Sequence, residues 1–206
     1  ATDFLVAQSY NEQISDAVEA HYAEDGPEHM VQPGMVYISF SSEVGTVYSL
    51  SQLTAISEVC HKYGLPLFID GARMGYGLAS EGCDVTLADI AALADVFYIG
   101  GTKLGALFGE AVVITNPKLL QHFTPLIKQH GALMAKGRLL GVQFEALFTD
   151  GLYETIGKEC VQKAIRLRNI FVSRGYKVEV DSPTNQQFFR LPNEVVDALK
   201  PEVSFE

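Results

Sequence analysis

Two short apolar runs each end abruptly in glycine and charge. Leu65-Pro66-Leu67-Phe68-Ile69 has the length of a buried strand and releases Asp70 and Arg73; Val96-Phe97-Tyr98-Ile99 releases Thr102 and Lys103. An aspartate directly after a buried strand carries a charge that needs a partner. A lysine among Gly100, Gly101 and Gly105 lies where backbone can come close to a ligand. Partial desolvation there favours the neutral amine, which attacks an aldehyde carbon to form a Schiff base. In an open α/β sheet ligands bind outside the carboxyl ends of the strands, so these side chains fall on the reactive edge. A carboxylate, a guanidinium and a lysine on one edge form the set that pyridoxal phosphate (PLP) chemistry uses. The carboxylate keeps a pyridine nitrogen protonated, or pairs with Arg73, and the lysine holds the aldehyde.

Each residue alone has a blander reading. A loop lysine is ordinarily a solvated charge. An aspartate at a strand end is also common in metal-dependent phosphatases and receiver domains. A phosphate-loop reading fails, because Gly-Gly-Thr-Lys-Leu-Gly lacks the first glycine at the required spacing and a Ser or Thr after the lysine. The combination of Asp70, Arg73 and Lys103 is the stronger signal.

The elements that must position these groups follow from apolar spacing. Ile14, Ala17, Val18 and Tyr22 predict a short helix over 12–23, which Asp25-Gly26-Pro27 ends. Phe4 to Ala7 and Met35 to Ile38 read as strands, the second running into a polar loop from Ser39 to Thr46. A helix capped by Ser49 or Ser51 runs to about Tyr63, with Leu53, Ile56, Val59, Cys60 and Tyr63 on one face. Strand–helix–strand in that order is a βαβ crossover and implies a parallel sheet. After a looser glycine-rich segment, a helical turn at 87–94 precedes the second run. Ala111 to Ile114 follows so closely that it must pair antiparallel.

Beyond Asn116 the pattern predicts helices over 117–130, 132–149 and 153–174. Strands at 176–180 and 187–191 and a helix at 193–199 follow. The expected fold class is therefore α/β, with a mostly parallel large-domain sheet over residues 1–150 and a partial small α+β domain over 151–206.

Composition narrows the partners. The 206 residues are 48% hydrophobic, enough for a sizeable core, and carry a net charge of −10. No basic field is available to neutralise phosphates, so a nucleic-acid partner is not expected. Three widely spaced cysteines (Cys60, Cys83, Cys160) suit a reducing, cytoplasmic compartment better than a disulfide framework. No apolar run reaches the roughly 20 residues of a membrane helix, and no metal-ligand cluster stands out. Both ends lie in apparent strands, and the chain is expected to be a fragment of a longer protein.

Ile69-Asp70-Gly71-Ala72-Arg73, the Gly100-Gly101-Thr102-Lys103-Leu104-Gly105 loop and their spacing resemble the low-specificity threonine aldolase family, within the β-eliminating lyases of fold-type I PLP enzymes. The likeness runs over nearly the whole chain, including His29 to Ile38 and the basic segment Lys136-Gly137-Arg138. It implies cleavage of a β-hydroxy-α-amino acid such as L-threonine or L-allo-threonine to glycine and an aldehyde. By the resemblance Lys103 would be the Schiff-base lysine, and Asp70 would hold the pyridine nitrogen. Arg73 would lie beside the cofactor's phenolic oxygen or the substrate carboxylate, and Thr102 would bind the cofactor phosphate. His29 is the candidate base near the substrate's β-hydroxyl, although a lone histidine of this kind is more often a surface or helix-cap residue. His21, His61, His122 and His130 read as exposed helix residues.

The resemblance also implies a homodimer or homotetramer, in which Lys136 and Arg138 could reach a neighbour's phosphate or remain solvated charges. Departures from the family pattern matter as well. The glycine-rich phosphate loop and ring-stacking residue are expected upstream of Ala1, and the substrate-carboxylate arginine beyond Glu206. Ser39-Phe40-Ser41-Ser42-Glu43 replaces the Glu-Asn-Thr-His type of sequence common in threonine aldolases. β-Elimination, transamination and a catalytically silent piece therefore stand as alternatives.

Overall fold

The computed structural model describes residues 11–23 and 32–204. The expected strand at 4–7 and His29 lie outside them. Helix α1 (Asn11–Ala23) packs on α2 (Leu50–Lys62). Strand β1 (Val36–Ser39) precedes α2, and β2 (Leu67–Asp70) follows it. A short helix α3 (Met74–Leu78) fills the glycine-rich segment that the apolar spacing leaves without structure. Helix α4 (Leu87–Leu93), β3 (Val96–Gly100) and β4 (Glu110–Ile114) complete the sheet region.

The sheet order is β1-β2-β3-β4, with β1, β2 and β3 parallel and β4 antiparallel to β3. Register runs from Val36 opposite Leu67 to Ser39 opposite Asp70. Strand β2 starts two residues later than the apolar run suggests, so Asp70 is its last residue rather than the first of a loop. Side chains alternate along each strand. Ile38, Leu67, Ile69, Phe97 and Ile99 are buried on one face with Leu53, Ile56 and Ile90 from α2 and α4. Tyr37, Phe68, Asp70 and Tyr98 share the other, half-buried face, with the Tyr37 and Phe68 rings stacked at 5.2 Å.

Helix α2 starts at a capping box. Ser49 accepts from the Gln52 N–H and the Gln52 side chain accepts from the Ser49 N–H, which settles the cap on Ser49 rather than Ser51. Helix 117–130 is broken in two. A 3-10 turn (Pro117–Leu120) and α5 (Phe123–Gln129) are separated at His122, whose φ of 56° is left-handed. Helix α6 (Arg138–Phe148) begins later than expected, because residues 132–134 are irregular and 135–137 form a turn. Helix α7 (Leu152–Ser173) lies against α3, with Gly157 at the contact: a Cβ there would come within 2.7 Å of the Gly75 carbonyl oxygen. Strands β5 (Val178–Val180) and β6 (Phe188–Phe189) form an antiparallel pair, and α8 (Asn193–Leu199) follows. The loop between β5 and β6 reaches back to the end of β1, where the buried Ser182 hydroxyl donates to the Gly45 carbonyl at 3.2 Å.

At the opposite edge of the sheet from Asp70, one buried carboxylate joins three elements. Asp95 accepts from the Leu67 N–H at 2.8 Å, Asn116 Nδ2 at 2.7 Å and His61 Nε2 at 3.2 Å. His61 is exposed on α2, as expected, and its ring edge reaches the buried Asp95. Burial pushes the Asp95 carboxyl up, but these hydrogen bonds outweigh it and hold it below the usual carboxylate range. A folded-state value below the unfolded one stabilises the protein above the unfolded value and is lost as pH falls through the folded one. Asp95→Asn should therefore cost about 2–3 kcal/mol near neutral pH, with the cost shrinking below about pH 4. Urea denaturation at neutral and acid pH checks this; a pH-independent cost would refute it.

Candidate active site

Asp70 is half-buried at the carboxyl end of β2. The Tyr37 hydroxyl donates to its Oδ2, and the Ala72 N–H donates to its Oδ1 at 2.9 Å. The Tyr98 phenol, on the neighbouring strand, also acts on the carboxylate. Burial pushes the Asp70 carboxyl up; hydrogen bonds from Tyr37, Tyr98 and Ala72, with the charge of Lys103, more than reverse this and leave it below the ordinary value. The same contacts act oppositely on the phenols. Burial, together with the neighbouring carboxylate, pushes Tyr37 up to about 12 and raises Tyr98 as well. Asp70 is therefore an anion, held ready for a cationic partner, while both tyrosines stay protonated donors.

Arg73 is half-buried at the amino end of α3 and forms no salt bridge with Asp70 among the described residues. The carboxylate's hydrogen-bond partners are instead the Tyr37 hydroxyl and the Ala72 N–H. The Arg73 charge acts on the Tyr76 phenol, lowering it against a larger push upward from burial.

Lys103 lies in the turn after β3 and is exposed, not partly desolvated as its glycine-rich surroundings suggest. Its charge nevertheless reaches Asp70. Thr102 is also exposed, and its Oγ1 donates to Glu110 Oε1 at 3.4 Å, a long contact. The Gly101 N–H donates to Glu110 Oε2 at 2.8 Å. Lys136 and Arg138 lie in the exposed segment leading into α6.

Two glycines let the ends of β2 and β3 meet. The Gly100 N–H donates to the Gly71 carbonyl at 2.9 Å. A Cβ on Gly71 would lie 1.8 Å from the Tyr98 carbonyl oxygen, and one on Gly100 would lie 2.4 Å from that of Ala72. No side chain fits in either place, so the segments bearing Asp70 and Lys103 meet through direct backbone contact.

These features suit PLP. An ionised carboxylate at the sheet edge matches a protonated pyridine nitrogen. A lysine on the adjacent turn matches an aldehyde.

Tyr37 and Tyr98 around Asp70, and Tyr76, Glu110 and Tyr153 around the Lys103 turn, are not singled out by sequence spacing. A signal existed for the first pair: Tyr37, Phe68 and Tyr98 occupy the alternate positions of three apolar runs, which a parallel register brings to one face.

A largely parallel sheet with helices on it and these groups at its carboxyl edge defines the large domain of a fold-type I PLP enzyme. The family model described as beta-eliminating lyase matches residues 6–177, and the chain belongs to that family. The solved structure of Leishmania major threonine aldolase superposes with a TM-score of 0.87 at 45% identity, over 91% of this chain and 55% of that one. The low specificity L-threonine aldolase of Pseudomonas aeruginosa is 31% identical over 84% of this chain and 50% of its own length. That of Pseudomonas sp. strain NCIMB 10558 is 39% identical over 61% of this chain and 36% of its own. The chain thus spans about half or less of the curated relatives it matches.

Gly71→Ala should overpack the joint between β2 and β3 and destabilise the protein by about 3 kcal/mol. Gly64→Ala is the control. Its φ is +69° with open space around it, so only the backbone penalty of about 1 kcal/mol applies. Equal costs in urea denaturation would contradict the close-approach argument.

Proposed function

We propose that the full-length protein is a PLP-dependent lyase that cleaves the Cα–Cβ bond of a β-hydroxy-α-amino acid. Its substrate is L-threonine or L-allo-threonine, and its products are glycine and an aldehyde. The observation that carries this reading is the pairing of anionic Asp70 with the Lys103 turn on adjacent strand ends, in a chain 45% identical to a threonine aldolase of known structure.

When bound, PLP supplies an electron sink for the pair released as the Cα–Cβ bond breaks. Asp70 holds a proton at the pyridine nitrogen, and its tyrosine donors keep the carboxylate ionised for that role. The Lys103 amine would hold the cofactor through its aldehyde carbon. Arg73 orients the phenolic oxygen or the substrate carboxylate, and Thr102 turns its hydroxyl from its long Glu110 contact to the phosphate. His29 takes the proton of the β-hydroxyl.

The exposed apolar side chains around α5 and α6 support a homodimer or homotetramer. Leu107, Leu126, Leu133, Met134, Leu139 and Val142 are all exposed, more than an isolated surface needs. Lys136 and Arg138 on this surface approach the neighbouring subunit's phosphate site. Three free cysteines suit a cytoplasmic location, and no helix among the described residues is long and apolar enough to cross a membrane. The boundary near residue 150 separates the large domain from the small one.

In the full-length protein, Lys103→Ala should abolish the visible absorbance of the lysine-bound cofactor and lower kcat by about 10³-fold or more. A retained band would assign the linkage to another residue. Product analysis decides the reaction: glycine with an aldehyde supports the proposal, and pyruvate with ammonia would replace it by β-elimination.

A further inference from the structure

An exposed lysine on a glycine-rich turn has many directions open to it, and side-chain entropy favours all of them. The backbone of this turn is nevertheless held at three successive points by three different elements. Tyr153 of α7 donates its hydroxyl to the Gly100 carbonyl at 3.1 Å. Glu110 of β4 accepts from the Gly101 N–H at 2.8 Å and from Thr102 Oγ1 at 3.4 Å. Tyr76 of α3 donates to the carbonyl of Lys103 itself. The turn closes on itself as well, with the Leu104 and Ala106 N–H groups both donating to the Gly101 carbonyl, at 2.9 and 3.0 Å.

The placement of Tyr76 and Glu110 is specific. Tyr76 is buried in α3, the helix that begins directly after Arg73, so one short segment carries Asp70, Arg73 and the hydroxyl that grips Lys103. Glu110 stands opposite Gly100 in the β3–β4 register, where its carboxyl group accepts from the next N–H along. Tyr153 grips the residue at the strand end, and its ring is part of the packing against Gly75, where a Cβ would lie 2.8 Å from it. It is thus as much a core residue as a clamp.

We propose that Tyr76 and Glu110 are positioning residues for Lys103, fixing the backbone on either side of it so that its amine is directed along the edge toward Asp70. The proposal rests on the assignment of Lys103 as the amine that holds the cofactor. Two features follow from the geometry. Tyr76 couples the Asp70–Arg73 segment to the Lys103 turn, so the two halves of the site keep their spacing. Glu110 holds Gly101 without needing Thr102, whose contact is long enough to be given up to a ligand.

The test uses the full-length protein with Tyr76→Phe, which keeps the buried ring and removes only the hydroxyl, and Glu110→Ala and Glu110→Gln. Amide hydrogen exchange of the segment 100–106 is measured in the cofactor-free protein. The second readout is the rate at which added PLP becomes attached to Lys103. Tyr76→Phe and Glu110→Ala are each expected to speed exchange and slow attachment by about tenfold, the weight of one lost hydrogen bond. KM for the amino acid should change less than twofold while kcat falls. Glu110→Gln, which keeps an acceptor for the Gly101 N–H, should recover most of the attachment rate.

Attachment within twofold of wild type in both Tyr76→Phe and Glu110→Ala overturns the proposal, whatever happens to the melting temperature. If Glu110→Ala does not fold, Tyr76→Phe alone decides it by the same criterion. Failure of the underlying assignment looks different: Lys103→Ala would then still bind the cofactor covalently, while exchange in 100–106 would still respond to Tyr76→Phe.

Discussion

The hydrogen bond from the Gly100 N–H to the Gly71 carbonyl, 2.9 Å long, is where the sheet and the site become one structure. It joins the first residue beyond β2 to the last residue of β3. The joint exists only because neither glycine carries a side chain, since a Cβ on Gly71 would overlap the Tyr98 carbonyl. The candidate site residues are placed around this joint. Asp70 precedes it by one residue, Arg73 follows by two, and the turn bearing Lys103 leaves from its other side. A parallel pair of strands delivers both chain ends to the same edge, and the glycines set how closely they meet.

The two edges of the sheet use buried carboxylates differently. Asp95, at the amino edge, is bound by a backbone N–H, an amide and a histidine, all from the chain's own elements. It joins α2, β2 and the segment after β4 and has no capacity pointed at a ligand. Asp70, at the carboxyl edge, is bound by a backbone N–H and tyrosine hydroxyls. Those donors are neutral, so they keep the carboxylate charged without cancelling it. An anion stabilised by neutral dipoles still attracts a cation, and Asp70 lies on the edge where a ligand would bind.

Most of the order of elements was legible in the residues. Apolar runs of strand length, the Ser49 cap and Gly64 gave the crossover, and the short link from Val96 to Ile114 required an antiparallel last strand. Asp70, Arg73 and Lys103 could be named from their position after those runs. The glycine-rich stretch after Arg73 concealed α3, because local propensity disfavours a helix with two glycines in five residues and only packing against α7 rewards it. For a related reason the 117–130 helix proved broken at His122: periodicity reports which residues are apolar, not where the backbone turns left-handed.

Spacing along the chain thus determined the strands, their direction and the residues with reactive groups, because period and punctuation are local properties. The companions of those residues came from folding. Tyr37 lies on a different strand from Asp70, and Tyr76, Glu110 and Tyr153 come from three elements around the Lys103 turn. No sequence separation encodes a hydroxyl meeting a carbonyl across two strands or from a helix. Register, burial and close backbone contact made Asp70 a lasting anion and gave Lys103 a fixed backbone, and these depend on how distant segments pack.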